Sequence, residues 1–256
     1  MQQEAAASEH LKPWWYRLRW RAVSKDEARH AERLLLTHSN TPSLAASDVP
    51  IGPGKHDYMH TIVGGQTNID SPQLVCIPGY GAGAAFMFRI FEGLSAGFRM
   101  FAVDLLGTGL SGRPAFKARS TSEAEDFFID SFEKWRAATG VSGMVLVGHS
   151  LGGYLSAVYA LKYPHHVKHL ILVCPAGVGK RPVDWQPPES LRSPWTVRGQ
   201  LYRTAVKAWN GGVTPGSIIR GLGPWGKSLV EGYAQRRFRQ GHRLNEDEVM
   251  AFQQYM

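Results

Sequence analysis

One serine in this chain stands where chemistry needs it. Residues 144–153 read Met-Val-Leu-Val-Gly-His-Ser-Leu-Gly-Gly. Four apolar residues form a short buried strand, Gly148 to Gly152 supply a tight turn, and a helix follows from Leu151. G-x-S-x-G between strand and helix is a nucleophile elbow. The flanking glycines fit because so tight a turn leaves little room beside the serine. The turn presents Ser150 at the carboxyl end of the strand and at a helix N-terminus, where backbone N–H groups favour developing negative charge. The plainer alternative for Ser150 is a structural turn serine.

A second loop can supply a partner for that charge. After the strand Leu74-Val-Cys-Ile77 comes Pro78-Gly79-Tyr80-Gly81-Ala82-Gly83, whose glycines let backbone approach a substrate closely. The Tyr80 and Leu151 N–H groups are the expected oxyanion pair. A third loop, Gly107-Thr-Gly109-Leu-Ser-Gly112, matches G-x-G-x-x-G after the strand 99–104. A dinucleotide site would need a helix to open there. Arg113-Pro114 follows instead, and Asp104 is expected to order this loop. No cofactor and no metal site are expected.

The elements that must position these loops alternate. Strands are predicted at 59–63, 73–77, 99–104, 144–148 and 168–174, several of them continuous apolar runs suited to burial on both faces. Helices are predicted at 25–36, 84–95, 121–138 and 151–162, with Ser120 to Glu123 offering a capping box. This is an α/β pattern with a mostly parallel sheet. Residues 37–55 read as a linker. Three divisions result: a Trp/Arg-rich arm and linker at 1–57, an α/β core at 58–179, and a turn-rich, helical cap at 180–256. In such a cap Trp185, Trp195 and Trp225 are available to line an acyl pocket, with ordinary helical packing as the alternative.

The 256 residues carry a formal charge of +8, and the excess is uneven. Residues 1–40 have a net of +2, residues 41–179 are neutral, and residues 180–256 have a net of +6. That distribution suits an anionic surface such as phospholipid headgroups, or a phosphorylated substrate; a merely solvated basic face is the alternative. No nucleic-acid-binding motif accompanies it. Trp14, Trp15 and Trp20 alternate with Arg17 and Arg19, as interfacial membrane segments do; packing of the arm on the domain is the alternative. The first ten residues are polar, unlike a secretory signal, and no apolar run has the length of a membrane span. Cys76 and Cys174 end predicted buried strands and are read as reduced core cysteines.

Several stretches together are similar to one α/β-hydrolase family, that of lipid-droplet-associated lipase co-activators and lysophosphatidate acyltransferases, with plant-type members closest. They are IPGYGAG, DLLGTGLSGRP, FIDSFEKWR, GHSLGGYLSAVYALKYPHHVKHLILV and GSIIRGLGPWGKSLV. The resemblance runs from about residue 10 to the end. It implies an α/β-hydrolase fold with a helical cap. It also implies ester hydrolysis or acyl transfer to lysophosphatidate, in phosphatidate and triacylglycerol homeostasis. The implied substrates are a lipid ester, a lysophospholipid or acyl-CoA, and a lipase is a possible protein partner. The implied location is cytoplasmic and peripheral on lipid droplets or membranes, with the tryptophan arm resembling the family's droplet anchor. Some co-activators carry asparagine at the nucleophile position, so Ser150 favours an enzyme lineage. Epoxide hydrolases and dehalogenases of this fold need aspartate there, which Ser150 is not.

The resemblance also implies two further strands, bearing the triad acid and then the histidine, which this sequence does not contain. A serine without a base is a poor nucleophile, so whether the chain is an enzyme stays open, and a non-catalytic adaptor that regulates a lipase is the rival. His149 is expected to point away from Ser150. His165, His166 and His169 are expected at the opposite end of the sheet, and His242 forms a chance-level His-x4-Asp match in the cap. In the family's strand order 168–174 becomes an exposed apolar edge. Cys76 and Cys174 end the two strands flanking that of Ser150, roughly 9–10 Å apart at ~4.8 Å per strand and beyond disulfide reach.

Overall fold

The computed structural model describes residues 24–255 apart from 42, 69, 180–183 and 237–243. Trp14, Trp15, Trp20 and His242 lie outside the described residues. Two compact units are present, one built from the described residues of 24–179 and 246–255 and the other including 184–236.

The larger unit is a six-stranded sheet in the order β1-β2-β4-β3-β5-β6. Its strands are β1 (Ala45–Pro50), β2 (Tyr58–Gly65), β3 (Gln73–Ile77), β4 (Arg99–Val103), β5 (Met144–His149) and β6 (Val167–Val173). β4, β3, β5 and β6 run parallel, whereas β1–β2 and β2–β4 pair antiparallel. The helices are α1 (Lys25–Thr37), α2 (Phe88–Ser95), α3 (Thr121–Thr139), α4 (Leu151–Lys162) and α9 (Glu246–Tyr255), with a 3-10 turn (Ala84–Met87) leading into α2. Every predicted strand and helix of the α/β pattern is present within a residue or two.

Two assignments need correcting. The stretch 37–55 is not only a linker, because it contains β1, which pairs along its length with β2 from Ala45↔Val63 to Pro50↔Tyr58. The C-terminal helix α9 belongs to the sheet unit, packing on α1 rather than continuing the cap. α1 opens on a full capping box: Ser24 Oγ accepts the Glu27 N–H and the Glu27 carboxylate accepts the Ser24 N–H, both at 3.1 Å. At α3 the box is only half formed. Ser120 Oγ accepts the Glu123 N–H, but the Glu123 carboxylate takes the Arg119 N–H instead of that of Ser120.

The core lies where α3 and α4 cover the sheet. Trp135 is fully buried, stacks on Phe132 at 5.3 Å and donates from Nε1 to Thr61 Oγ1 of β2 at 2.9 Å. Tyr159 of α4 meets Phe132 edge-to-face at 4.7 Å. These aromatics fix α4, and with it the turn at its head. β6 is the edge strand beside β5, and Leu170 to Val173 are all exposed. Cys174 also differs from expectation: it follows β6 at φ 44° and is exposed, whereas Cys76 is buried.

Among its described residues the second unit contains helices joined by turns: α5 (Glu189–Arg192), α6 (Val197–Asn210), α7 (Pro215–Gly221) and α8 (Pro224–Ala234). α5 packs on α6, and α7 on α8.

Candidate active site

β5 ends at His149, and α4 begins at Leu151. Ser150 between them has φ 52° and ψ −118°, a conformation L-residues rarely adopt. The turn is pinned by backbone. Ser150 N–H donates to the Val173 carbonyl at 3.0 Å, and the Ser150 carbonyl accepts from Tyr154 at 3.1 Å and Ala176 at 2.9 Å. The neighbouring glycines are needed for space, not for φ. A Cβ on Gly148 would lie 2.5 Å from both the Gly152 carbonyl and Ser156 Oγ. A Cβ on Gly152 would lie 2.4 Å from the Ile77 and Pro78 carbonyls. The head of α4 is therefore in backbone contact with the start of the 78–83 loop.

That loop reaches the serine. A Cβ on Gly79 would meet Ser150 Cβ at 2.9 Å and His149 Nδ1 at 3.1 Å. Tyr80 follows in a turn closed by Ala82 N–H to the Gly79 carbonyl at 3.2 Å, with its side chain exposed. Neither the Tyr80 nor the Leu151 N–H has an acceptor among the described residues. Ser150 Oγ likewise makes no hydrogen bond there, to His149 or to any other described side chain. His165 and His166 lie in the turn before β6, at the opposite end of the parallel strands from the elbow, as the sequence predicts.

Asp104 anchors the loop from below. It is fully buried, with Oδ1 accepting the Ala84 N–H at 2.6 Å and Oδ2 accepting the Leu110 N–H at 2.7 Å. Burial pushes its carboxyl up to about 6, although both N–H groups and the nearby His60 oppose the shift. The glycine-rich 107–112 segment folds around this carboxylate and opens no helix. A Cβ on Gly109 would lie 2.0 Å from Asp104 Oδ2, and one on Gly112 would lie 1.9 Å from the His56 carbonyl. The ordering role expected for Asp104 is the one observed.

Two further supports escape a reading of the sequence. α9 holds the far end of the loop: Phe252 meets Phe86 at 4.3 Å, Glu248 pairs with Arg89 at 2.6 Å, and the buried Tyr255 hydroxyl sits against Gly83. Beyond Asp104, His60 lies between two carboxylates, with Nδ1 2.7 Å from Asp48 and Nε2 3.0 Å from Glu32. Burial lowers its pKa, but the hydrogen bond and charge of Glu32, with Asp48 and Asp104, together raise it above the ordinary value. The only hint was His60 interrupting an apolar strand.

The α/β-hydrolase fold family matches residues 72–243. The chain is 39% identical over 263 residues to the 1-acylglycerol-3-phosphate O-acyltransferase of Arabidopsis thaliana, covering 95% of this chain and 61% of that protein. It is 39% identical over 182 residues to the (lyso)-N-acylphosphatidylethanolamine lipase of Mus musculus, covering 71% of this chain and 51% of the lipase. The naproxen esterase of Bacillus subtilis shares the fold at 16% identity and a TM-score of 0.56, over 92% of this chain and 68% of the esterase. The chain thus spans about three fifths of the plant relative's length. With the elbow, the loop that meets it and a matched segment that includes both, this chain belongs to the α/β-hydrolase fold family.

Proposed function

We propose that the chain carries the nucleophile half of a lipid-acting serine hydrolase or acyltransferase. Ser150 Oγ gives up its proton as it attacks the acyl carbonyl of a lipid ester or acyl-CoA, and the Tyr80 and Leu151 N–H groups receive the oxyanion. The tetrahedral intermediate collapses with cleavage of the C–O or C–S bond, so that the alcohol or CoA thiol leaves with that proton. The acyl-enzyme then passes its acyl group to water or to the hydroxyl of lysophosphatidate. The observation that carries this reading is the strained Ser150 turn set against Gly79, beside two N–H groups without acceptors among the described residues. Relatives named as an acyltransferase and a lipase support the lipid substrate class. The test is acyl transfer from acyl-CoA to lysophosphatidate, run beside lipid ester hydrolysis, for the wild type and Ser150→Ala. Turnover that Ser150→Ala abolishes supports the proposal, and turnover it leaves unchanged overturns it.

A second reading is a non-catalytic adaptor that docks a lipase at a lipid-droplet or membrane surface. It is favoured by one observation: Ser150 Oγ makes no hydrogen bond to any described side chain that could act as its base. Droplet binding would then survive Ser150→Ala and weaken when Trp14, Trp15 and Trp20 are replaced by alanine. No helix among the described residues is long and apolar enough to cross a membrane, so the surface contact proposed is peripheral.

A further inference from the structure

Helix α6, Val197–Asn210, leaves most of its apolar residues exposed. At about 100° per residue, Val197, Leu201, Ala205, Val206, Ala208 and Trp209 share one half of its circumference. Gln200, Arg203, Thr204, Lys207 and Asn210 share the other. A helix that stabilises a globular unit buries the apolar half. In α6 the one buried residue is Gly199, which carries no side chain and is seated where a Cβ would lie 1.8 Å from the Ser193 carbonyl. The polar half is exposed, and on the apolar half only Tyr202 and Ala208 are half-buried, while Val197 is 76% exposed, Leu201 65% and Trp209 62%.

The chemistry around that open face selects its occupant. α6 contains no carboxylate, while Arg198, Arg203 and Lys207 supply three cations. Arg198 stands within the apolar half in the first turn, where its aliphatic stem can lie along the surface and its guanidinium reach outward. Trp195, 91% exposed, precedes the helix, and Trp209 closes its last turn. Tryptophans at both ends, an apolar half and a cationic half without acid are the makings of a helix that lies in an anionic lipid interface. The order of the turn is secured independently of any ligand. Thr196 Oγ1 accepts the Gly199 N–H at 3.0 Å and donates to the Ser190 carbonyl at 2.9 Å.

We infer that α6 is a membrane-docking helix, which lays Val197, Leu201 and Trp209 into the headgroup–acyl boundary of an anionic bilayer or monolayer. The inference rests on the lipid-acting reading for its biological sense. It adds a contact surface in the helical unit, separate from the tryptophan arm.

The experiment is flotation of the full chain with phosphatidylcholine vesicles, with and without phosphatidate. All chains in it carry Trp14, Trp15 and Trp20 replaced by alanine, so that the arm does not mask α6. This parent chain is expected to float with the phosphatidate vesicles. Leu201→Glu with Trp209→Glu should cut its partitioning at least about tenfold, as expected for losing two buried apolar side chains, with no change in thermal midpoint. Arg203→Glu with Lys207→Glu should remove the gain produced by phosphatidate. A parent chain that does not float, or partitioning unchanged by Leu201→Glu with Trp209→Glu, overturns the inference. So does a lowered thermal midpoint in that variant, because the face would then be covered by protein. Turnover is not the readout, so failure of the Ser150 chemistry and failure of α6 docking are told apart.

Discussion

Asp104 Oδ1 accepts the Ala84 N–H at 2.6 Å, and this bond joins the loop after β4 to the loop that faces Ser150. The other oxygen holds Leu110, so one buried carboxylate fixes two backbone segments. Replacing it by alanine orphans both N–H groups, at a cost of about 2–4 kcal/mol. Asp104→Ala should lower the unfolding free energy by that amount, read from the urea midpoint and slope, and hydrogen exchange at the Ala84 and Leu110 amides should speed up. Asp104→Asn keeps one acceptor oxygen and should lose less. Unchanged exchange at Ala84 in Asp104→Ala would mean that the loop is held by α9 alone.

Ser150 at φ 52° stores backbone strain of about 1–3 kcal/mol. Glycine relieves it, less the extra freedom it gives the unfolded chain, about 0.4–1 kcal/mol. Ser150→Gly should therefore be more stable than Ser150→Ala by about 1 kcal/mol, read from paired denaturation curves. Equal stabilities would argue that the turn does not have this geometry in solution.

The elbow, its glycines and the alternating strands were legible because each rests on local chemistry: a motif with its spacing, apolar runs, a helix directly behind the serine. What was not legible depends on partners distant in the chain. β1 is six residues, AASDVP, with exposed alanines and a terminal proline, and only its pairing with β2 makes it a strand. α9 follows the cap in sequence yet returns to the sheet unit, a placement decided by Phe252 finding Phe86 across 166 residues. For Cys174 the apolar run before it points to burial, and only the strand order implied by the resemblance marks that strand as an exposed edge, which is where β6 lies.

Gly152 tests the contact between α4 and the 78–83 loop. Its notional Cβ lies 2.4 Å from two backbone carbonyls, which cannot swing aside as a side chain would. Gly152→Ala should cost about 1–3 kcal/mol through forced backbone shifts. By contrast, Gly81→Ala meets nothing within 4 Å, so any loss there comes from its φ of 71°. A thermal melt of the two variants separates steric from conformational cost; equal losses would remove the argument for close packing at Gly152.

The apolar edge at β6 predicts self-association. Leu170, Ile171, Leu172 and Val173 are exposed on a strand whose outer backbone has no partner among the described strands. Such an edge templates further pairing unless charge interrupts it. Ile171→Lys should slow the growth of light scattering on warming without lowering secondary-structure content. Scattering unchanged by the substitution would place the association surface elsewhere.

His60 sets a pH dependence whose sign follows from its surroundings. Glu32 on α1, Asp48 on β1 and Asp104 after β4 all face the ring, and they raise its pKa against the effect of burial. A histidine raised on folding contributes stability that is fully present below its unfolded value, about 6.5, and is lost as pH rises through its folded value. The carboxyl of Asp48 is shifted the other way: burial raises it, but Lys25 and His60 outweigh that and lower it, so its contribution fades only in acid. The chain should therefore lose stability as pH climbs above about 6.5, and His60→Gln should flatten that slope while lowering the midpoint at pH ~6. Urea midpoints measured across neutral pH for both proteins decide it. A wild-type slope that persists in His60→Gln would assign the titration to another group.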